Sequence, residues 1–354
     1  YFRHAAHKFF DLRQQACKIF AQPDEKSYCA IRTPQLCGIA QEKKRIKMPY
    51  FLGIDTSNYT TSCAIYDSDT DTVVHHKKLL PVKKGELGLR QSDAVFHHTV
   101  QLPELMKELF ADFDGEIAAI GVSDAPMRAE GSYMPCFLTG VCTAESIAAA
   151  TGKPIYRFSH QQGHIMAALF SSGRRELYGK DFFAFHVSGG TTQALLVSGE
   201  LDARLIASSL DLKAGQAVDR VGVMLGYPFP AGKYVDELAQ KSDKKYKINI
   251  KLKDGNCCLS GVENKCRAMF EKGEKPEDIC RYCIDYIMTA LYKIALFAKE
   301  KYGDLPMIFS GGVMSNKIIR EEFEKTLGAG FATPEFSADN AAGIALLAHK
   351  RSLE

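Results

Sequence analysis

The sequence has no apolar run approaching the about 18 residues of a membrane-spanning helix. Nor does it open on the basic start, apolar core and small-residue cleavage site of a secretory signal. The expectation is a cytoplasmic protein with no membrane partner. A Walker loop and the dinucleotide G-x-G-x-x-G fingerprint are both missing, which excludes the two commonest phosphate-binding loops. A disulfide framework is also disfavoured, because eleven cysteines are an odd number scattered over 354 residues, so reduced thiols are expected. Beyond its first segment the chain has no excess of positive charge. Residues 1–48 hold 10 Lys/Arg against 4 Asp/Glu, leaving 35 against 38 for the rest. General basicity therefore gives no argument for nucleic-acid binding, although Lys241, Lys244, Lys245, Lys247, Lys251 and Lys253 form a local cluster, read as a phosphate contact or as a solvated loop and edge strand.

What is present is an ordinary globular composition, 46% hydrophobic and long enough for about two domains. Residues 1–47 mix aromatic and basic residues and end in "QEKKRIK". From Met48 the pattern becomes that of a strand, a turn and a strand. Met48 is read as the start of the folded unit, preceded by an extension; a basic interaction arm is the other reading of that segment.

The body contains an internal echo. "GIDTSNYTTSCAIY" (Gly53 to Tyr66) and "AFHVSGGTTQALLV" (Ala184 to Val197) align without gaps over Ser57/Ser188, Thr60/Thr191 and Thr61/Thr192. Each reads as a β-hairpin with a turn of small and hydroxyl residues. Two such hairpins, each followed by helical and strand segments, predict a duplicated α/β unit. The first is followed by helix 94–110, strand 117–123, helix 139–150 and strand 155–158. After the second come a helix around 218–225, a long helix 276–302, the strand "PMIF", a helix from Ser315, a strand near "GFATP" and a closing helix from Ser337 to about Lys350. The polar stretch "SSGRRELYGK" divides the halves. Cys280 and Cys283 form a C-x-x-C that a zinc or redox site could use, but they fall in the amphipathic run of the long helix, where cysteines three apart pack in a core.

Chemistry concentrates in "SHQQGH", Ser159 to His164. Ser159 with Gln162 fits a capping box, which places His160 and His164 on one face of the first helical turns. The positive helix end disfavours imidazolium, and a neutral imidazole is what a metal takes. The zinc-peptidase helix carries a glutamate beside its first histidine, and here that place holds Gln161. A third ligand must come from elsewhere. Asp339 in "FSADNAAGIALLA" is a candidate, at the head of the closing helix after a Ser337 cap, where an acid is also favoured by the dipole alone. Two turns, "VSGGTTQ" and "FSGGVMSN", offer backbone N–H groups for a phosphate or nucleotide. Between them "GQAVDRVGVMLGYPFPAG" supplies Asp219 and Gly232 for a ribose contact and a close backbone approach.

In this order, "GIDTS", His97 with Pro103, "SHQQGH", "VSGGTTQ", "AVDRVGVMLGYPFPAG", "LSG" at Leu259 to Gly261, "SGGVMSN" and "SADNAA" resemble the tRNA N6-adenosine threonylcarbamoyltransferase family, formerly termed glycoprotease or O-sialoglycoprotein endopeptidase. The resemblance runs from Met48 to the end. It implies an actin/hexokinase-like (ASKHA) α/β fold, two ribonuclease-H-like lobes with a nucleotide cleft between them. The lobes are expected at 48–172 and 181–336, with 337–354 packing back on the first and 1–47 outside the fold. It implies that His160, His164 and Asp339 hold one divalent ion, Fe2+ or Zn2+. It matches Ser188, Gly189, Gly190, Thr191, Thr192, Asp219, Gly232, Asp236 and Asn316 to the nucleotide site. The implied reaction passes the threonylcarbamoyl group of threonylcarbamoyl-AMP to N6 of adenosine 37 in tRNAs reading codons that begin with A. ATP is the alternative nucleotide, and protein partners of the same pathway are implied. No general base is named by these motifs.

The chain departs from the family pattern around the expected cleft. An acidic C-D-E-T becomes Asn58-Tyr59-Thr60-Thr61, S-G-G-H-T becomes Ser188-Gly189-Gly190-Thr191-Thr192, and a lysine after S-G-(Leu/Val) becomes Glu263. The A-G-P-G-L loop is replaced by "SDAPMRAEGSYMP". These changes leave open a paralogue with another acceptor, and the fold also admits a non-catalytic scaffold. A metallopeptidase is the reading that Gln161 disfavours most.

Overall fold

A computed structural model describes residues 49–57, 59–81 and 89–354. The segment 1–47, Met48 and Asn58 lie outside the described residues, and with them the expectations placed there. Three strands, β1 (Tyr50–Ser57), β2 (Thr60–Asp67) and β3 (Thr72–Leu79), form an antiparallel meander. After helix α1 (Gln91–Leu109), strand β4 (Ile117–Ala125) joins β1 in parallel; after α2 (Phe137–Thr151), β5 (Ile155–Ser159) joins β4. The resulting order is β3-β2-β1-β4-β5.

The second sheet repeats this plan. Strands β6 (Phe182–Val187), β7 (Thr192–Ser198) and β8 (Asp202–Ser208) form the meander, β9 (Met307–Ser310) and β10 (Gly330–Phe331) add in parallel, and the order is β10-β9-β6-β7-β8. The sequence echo has a backbone counterpart. Ser57 pairs with Thr60 at the first hairpin, and Ser188 N–H donates to the Thr191 carbonyl at 2.7 Å in the second. Two sheets of one connectivity are the duplicated α/β unit that the hairpins predicted.

Strand β1 is buried over seven of its eight residues, because helices cover both faces of its sheet. Period-2 alternation sends Leu52 and Ile54 to a core with Leu102, Leu105 and Leu109 of α1. Phe51 enters a different core with residues of α3 (His160–Ser171), of β6, β7 and β9, and of a closing helix. That second core contains side chains from both sheets. A third cluster fills the other side of the second sheet around α4 (Ala214–Met224), α5 (Gly232–Ala239), α6 (Ser260–Glu271) and α7 (Pro276–Tyr302). Helix α7 starts on a proline with Glu277 and Asp278 in its first turn and ends with Lys299 and Lys301, all favourable to its dipole. Cys280 and Cys283 are buried along it beside Cys266 of α6, and burial pushes the Cys280 thiol up to about 12. These are packing groups.

Three expectations change. Helix α8 (Lys317–Leu327) begins after Asn316, whose side chain accepts from Ile319 N–H, and Gly312–Ser315 is a separate 3-10 turn. The lysine-rich segment forms no strand among the described residues; Lys244 pairs with Asp278 and Lys293 Nζ donates to the Ile250 carbonyl, so side chains fix an irregular path. The closing helix, α10 (Ala342–Ser352), starts five residues later than Ser337, which instead ends the one-turn helix α9 (Pro334–Ser337). Ser337 Oγ is spent on the Thr333 carbonyl, while Asn340 Oδ1 accepts from Ala342 N–H.

Helix α10 lies against bare backbone. A Cβ at Gly343 would fall 1.8 Å from the Gly163 carbonyl oxygen of α3, one at Gly53 2.5 Å from the Ala341 oxygen, and one at Gly121 2.6 Å from the Ile344 oxygen. Side chains cannot relieve such contacts, since the obstacle is main chain. Gly343→Ala should cost about 3 kcal/mol or more, read as a lowered midpoint in urea unfolding. An unchanged midpoint would mean that the two helices do not approach this closely.

Candidate metal centre and nucleotide cleft

The capping box at α3 forms as the local sequence predicts. Ser159 Oγ accepts from Gln162 N–H at 3.2 Å, and Gln162 Oε1 accepts from Ser159 N–H at 2.9 Å. Strand β5 therefore hands directly to the helix, and the imidazoles of His160 and His164 stand 4.3 Å apart between ring centres. Asp339 arrives from the loop between α9 and α10 rather than from a first helical turn. Its Oδ1 lies 3.0 Å from His164 Nε2 and 3.6 Å from His160 Nε2, and its Oδ2 accepts from Thr60 Oγ1 at 3.2 Å. One ligand atom from each of His160, His164 and Asp339 falls within a 4.8 Å group.

Two imidazoles and one carboxylate suit a divalent transition metal, with room left for a further ligand. The histidine that leads the helix is held from behind. His160 Nδ1 is 3.0 Å from Asp55 Oδ2, so Nδ1–H donates to that carboxylate and Nε2 is left on the Asp339 side. Asp55 is fully buried and accepts in addition from Ser57 Oγ at 2.7 Å and from Ser123 Oγ. Burial alone would raise its pKa, but the charge of His160 and these hydrogen bonds hold it below the usual carboxylate value.

The dipole argument for a neutral pair does not survive at His160. Burial disfavours its imidazolium, yet the Asp55 carboxylate and the hydrogen bonds with Asp339 and Asp55 outweigh that and push its pKa up to about 10. Asp339 is correspondingly held far below the carboxylate range: burial opposes, and the hydrogen bonds from His160 and His164 prevail.

The cluster opens on a cavity of about 490 Å³ that is also lined by Ser188, Gly190 and Thr191. Its inner wall is apolar, with Ile165, Phe182, Leu195 and Ile308, and Met127 and Met134 come from the replaced loop. A second cavity of about 460 Å³ is lined by Gly189, Asp219, Gly232, Asp236 and Asn316. The two share the S-G-G turn. Side chains added at Gly189, Gly190 or Gly232 would meet only open space, so the turn leaves its surface free for a ligand. Asp219 accepts from Ala231 N–H at 2.8 Å, and Asn316 Nδ2 donates to Asp236 Oδ1 at 2.5 Å. Burial raises the pKa of Asp236. Thr192 stands apart from the other expected nucleotide contacts: it is buried, and its Oγ1 accepts from Ala214 N–H.

The sequence model of the TsaD family, tRNA N6-adenosine threonylcarbamoyltransferase, matches residues 74–346. The chain belongs to the tRNA N6-adenosine threonylcarbamoyltransferase family. It is 30% identical over 295 residues to the tRNA N6-adenosine threonylcarbamoyltransferase of Bacillus licheniformis, covering 79% of this chain and 83% of that protein. It is 28% identical to the probable bifunctional tRNA threonylcarbamoyladenosine biosynthesis protein of Methanocaldococcus jannaschii, covering 84% of this chain and 55% of that one. Among solved structures, full-length HypF matches at a TM-score of 0.55 and 13% identity, over 87% of this chain and 57% of that one. The Acidaminococcus fermentans (R)-2-hydroxyglutaryl-CoA dehydratase component A matches at 0.51 and 18%, over 86% and 99%. Such neighbours place this threonylcarbamoyltransferase-family chain in the actin/hexokinase-like fold. The family is one of transferases, and no described helix is long and apolar enough to cross a membrane.

Two residues of this family member were not singled out by sequence. Asp55 is a carboxylate inside an apolar strand, a signal in itself. His186 lines the same cavity, with its ring centre 5.4 Å from that of His164. Burial, followed by the neighbouring His164, pushes its pKa down to about 3. Glu263, in place of the family's lysine, is tied to Arg220 at 2.9 Å and Arg267 at 3.2 Å. Asp55→Asn should weaken Zn2+ binding about 10–100-fold in a calorimetric titration while the far-ultraviolet dichroism stays unchanged. Equal affinity would limit Asp55 to a structural role.

Proposed function

We propose that this chain transfers the threonylcarbamoyl group of threonylcarbamoyl-AMP to N6 of adenosine 37 in tRNAs reading codons that begin with A, releasing AMP. The observation that carries this reading is the meeting of His160, His164 and Asp339 with Ser188, Gly190 and Thr191 around one cavity. His160, His164 and Asp339 would hold Fe2+ or Zn2+. When bound, that ion supplies a Lewis acid at the carbamoyl-phosphate end of the donor.

The chain's own groups do the remaining work. The open backbone of Gly189 and Gly190 receives the phosphate, and Asp219, Gly232, Asp236 and Asn316 line the adjoining space for the nucleoside. Ser188 and Thr191 offer hydroxyls on the cluster side of the same turn. The exocyclic amine of adenine is a poor nucleophile, so holding it against the carbonyl carbon and excluding water dominate the rate. The apolar wall of Ile165, Phe182, Leu195 and Ile308 serves the second purpose. ATP would fit the same turn as an alternative ligand. Partner proteins of the pathway are part of the reading, supported by the two-function name of the Methanocaldococcus jannaschii relative.

A peptidase is disfavoured because, among the described residues, no glutamate lines the cavity and the place beside His160 is held by Gln161. The replacement of the family's acids by Tyr59 and Thr60 favours a second reading, a paralogue with the same donor and another acceptor.

The test combines labelled threonylcarbamoyl-AMP with unmodified tRNA, with and without the pathway's other proteins. Label should enter tRNA with one AMP released per transfer, and a guanosine at position 37 should abolish it. Asp339→Ala should lose bound metal by elemental analysis and lower turnover by at least about 100-fold, the equivalent of several kcal/mol of charge stabilisation. AMP release without labelled tRNA would favour the paralogue; a preparation with neither metal nor nucleotide affinity would indicate a scaffold.

A further inference from the structure

The motifs name no group to receive the proton of the attacking amine, and the family's S-G-G histidine is Thr191 here. The cavity nevertheless contains an imidazole outside the His160, His164 and Asp339 cluster. His186 is on β6, two residues before the Ser188 turn, and borders the cavity together with His164 and Asp339. Its ring is oriented by one contact. His186 Nδ1 lies 3.1 Å from Ser310 Oγ, and Ser310 Oγ itself donates to the Phe185 carbonyl at 3.2 Å.

A serine hydroxyl has a single proton to donate. With that proton on the Phe185 carbonyl, Ser310 Oγ accepts from His186 and Nδ1 carries the ring proton. The neutral ring then has a lone pair on Nε2. Ser310 also lines the cavity.

We propose that His186 is a catalytic residue whose Nε2 accepts a hydrogen bond from the attacking exocyclic amine and receives its proton during transfer. This rests on the transfer reading given above. In the step, the amine nitrogen forms a bond to the carbamoyl carbonyl carbon, and the bond from that carbon to the adenylate phosphate oxygen breaks with its electron pair leaving on AMP. The amine proton moves to Nε2 and then to water in the cleft. A neutral amine is far too weak an acid to give up this proton, but its nitrogen becomes strongly acidic as it attacks, so an imidazole with a free Nε2 can take it. The role also accounts for a half-buried histidine in a strand whose neighbours Phe182, Phe183 and Phe185 are apolar.

The test uses the full-length, metal-loaded protein with its pathway partners and compares His186→Leu with His186→Gln, whose side-chain oxygen can stand near the Nε2 position. His186→Leu should lower kcat about 100-fold or more. The KM for threonylcarbamoyl-AMP, bound metal and thermal midpoint should remain those of the wild type, and His186→Gln, which can accept the hydrogen bond but not the proton, should recover little of the loss. With 15N-labelled histidine, the free protein should show His186 protonated at Nδ1 and bare at Nε2, and the Nε2 resonance should move upfield when unmodified tRNA and AMP are added together. Wild-type turnover in His186→Leu, or a loss matched by a loss of metal or of stability, overturns the inference alone. No transfer by the wild type overturns the transfer reading and this inference with it.

Discussion

The contact on which the rest depends is the approach of α10 to the backbone of α3 and of the first sheet. Gly343 faces the Gly163 carbonyl, and Gly53 and Gly121 clear the way for the same helix over β1 and β4. Because the touching groups are main chain, the helix has almost no freedom to slide or rotate. Asp339 is three residues before α10, and His160 and His164 are on α3. A shift of an ångström between the helices would open the group of ligand atoms as surely as loss of a side chain. The glycine of "SHQQGH" therefore matters to the site as much as its histidines do.

Electrostatics then sets what such a site can hold. Asp55 is fully buried yet charged, which is tolerable only because two serine hydroxyls and the Nδ1–H of His160 surround it. Its charge fixes the ring of His160 and makes the pocket attract a cation. Asp339 adds a second carboxylate on the other side of the same ring. On the opposite flank His186 experiences the reverse balance: burial and two neighbouring imidazoles disfavour its protonation. Two histidines of one cavity, His160 and His186, are thus pushed in opposite directions, one toward the cation and one toward the neutral ring.

The parts of this arrangement that were legible in the sequence are the local ones. The cap of Ser159 and Gln162, the one-face placement of His160 and His164, the 27-residue helix α7 and the repeated hairpin all depend on residues close in the chain. The ordered motifs carried the family and its fold. What was not legible depends on long-range packing. Ser337 looks like a helix cap, but its hydroxyl turns back to Thr333, and Asn340, just before the Ala341 cap position, accepts from the first helical N–H instead. The helix-dipole argument treated His160 as though its surroundings were only its own helix, whereas a carboxylate 105 positions away decides its charge. Asp55 and His186 were hidden for one reason, since each interrupts a strand whose apolar neighbours dominate the pattern.

The departures from the family pattern can be judged by charge. The first-hairpin acids are gone, and at one of their positions Thr60 donates a hydrogen bond to Asp339 where a carboxylate would repel it. The remaining acids around the cluster, Asp55 and Asp339, together match the charge of one divalent ion. On the proposed function, an anionic adenylate would approach a metal-loaded centre with no net negative charge, over glycines that present backbone N–H groups rather than side chains. Further carboxylates at the first hairpin would have to be offset elsewhere in the cleft. Their replacement by a hydroxyl leaves the S-G-G turn open to an anion, so on the proposed function the altered hairpin would bear on the acceptor more than on the donor.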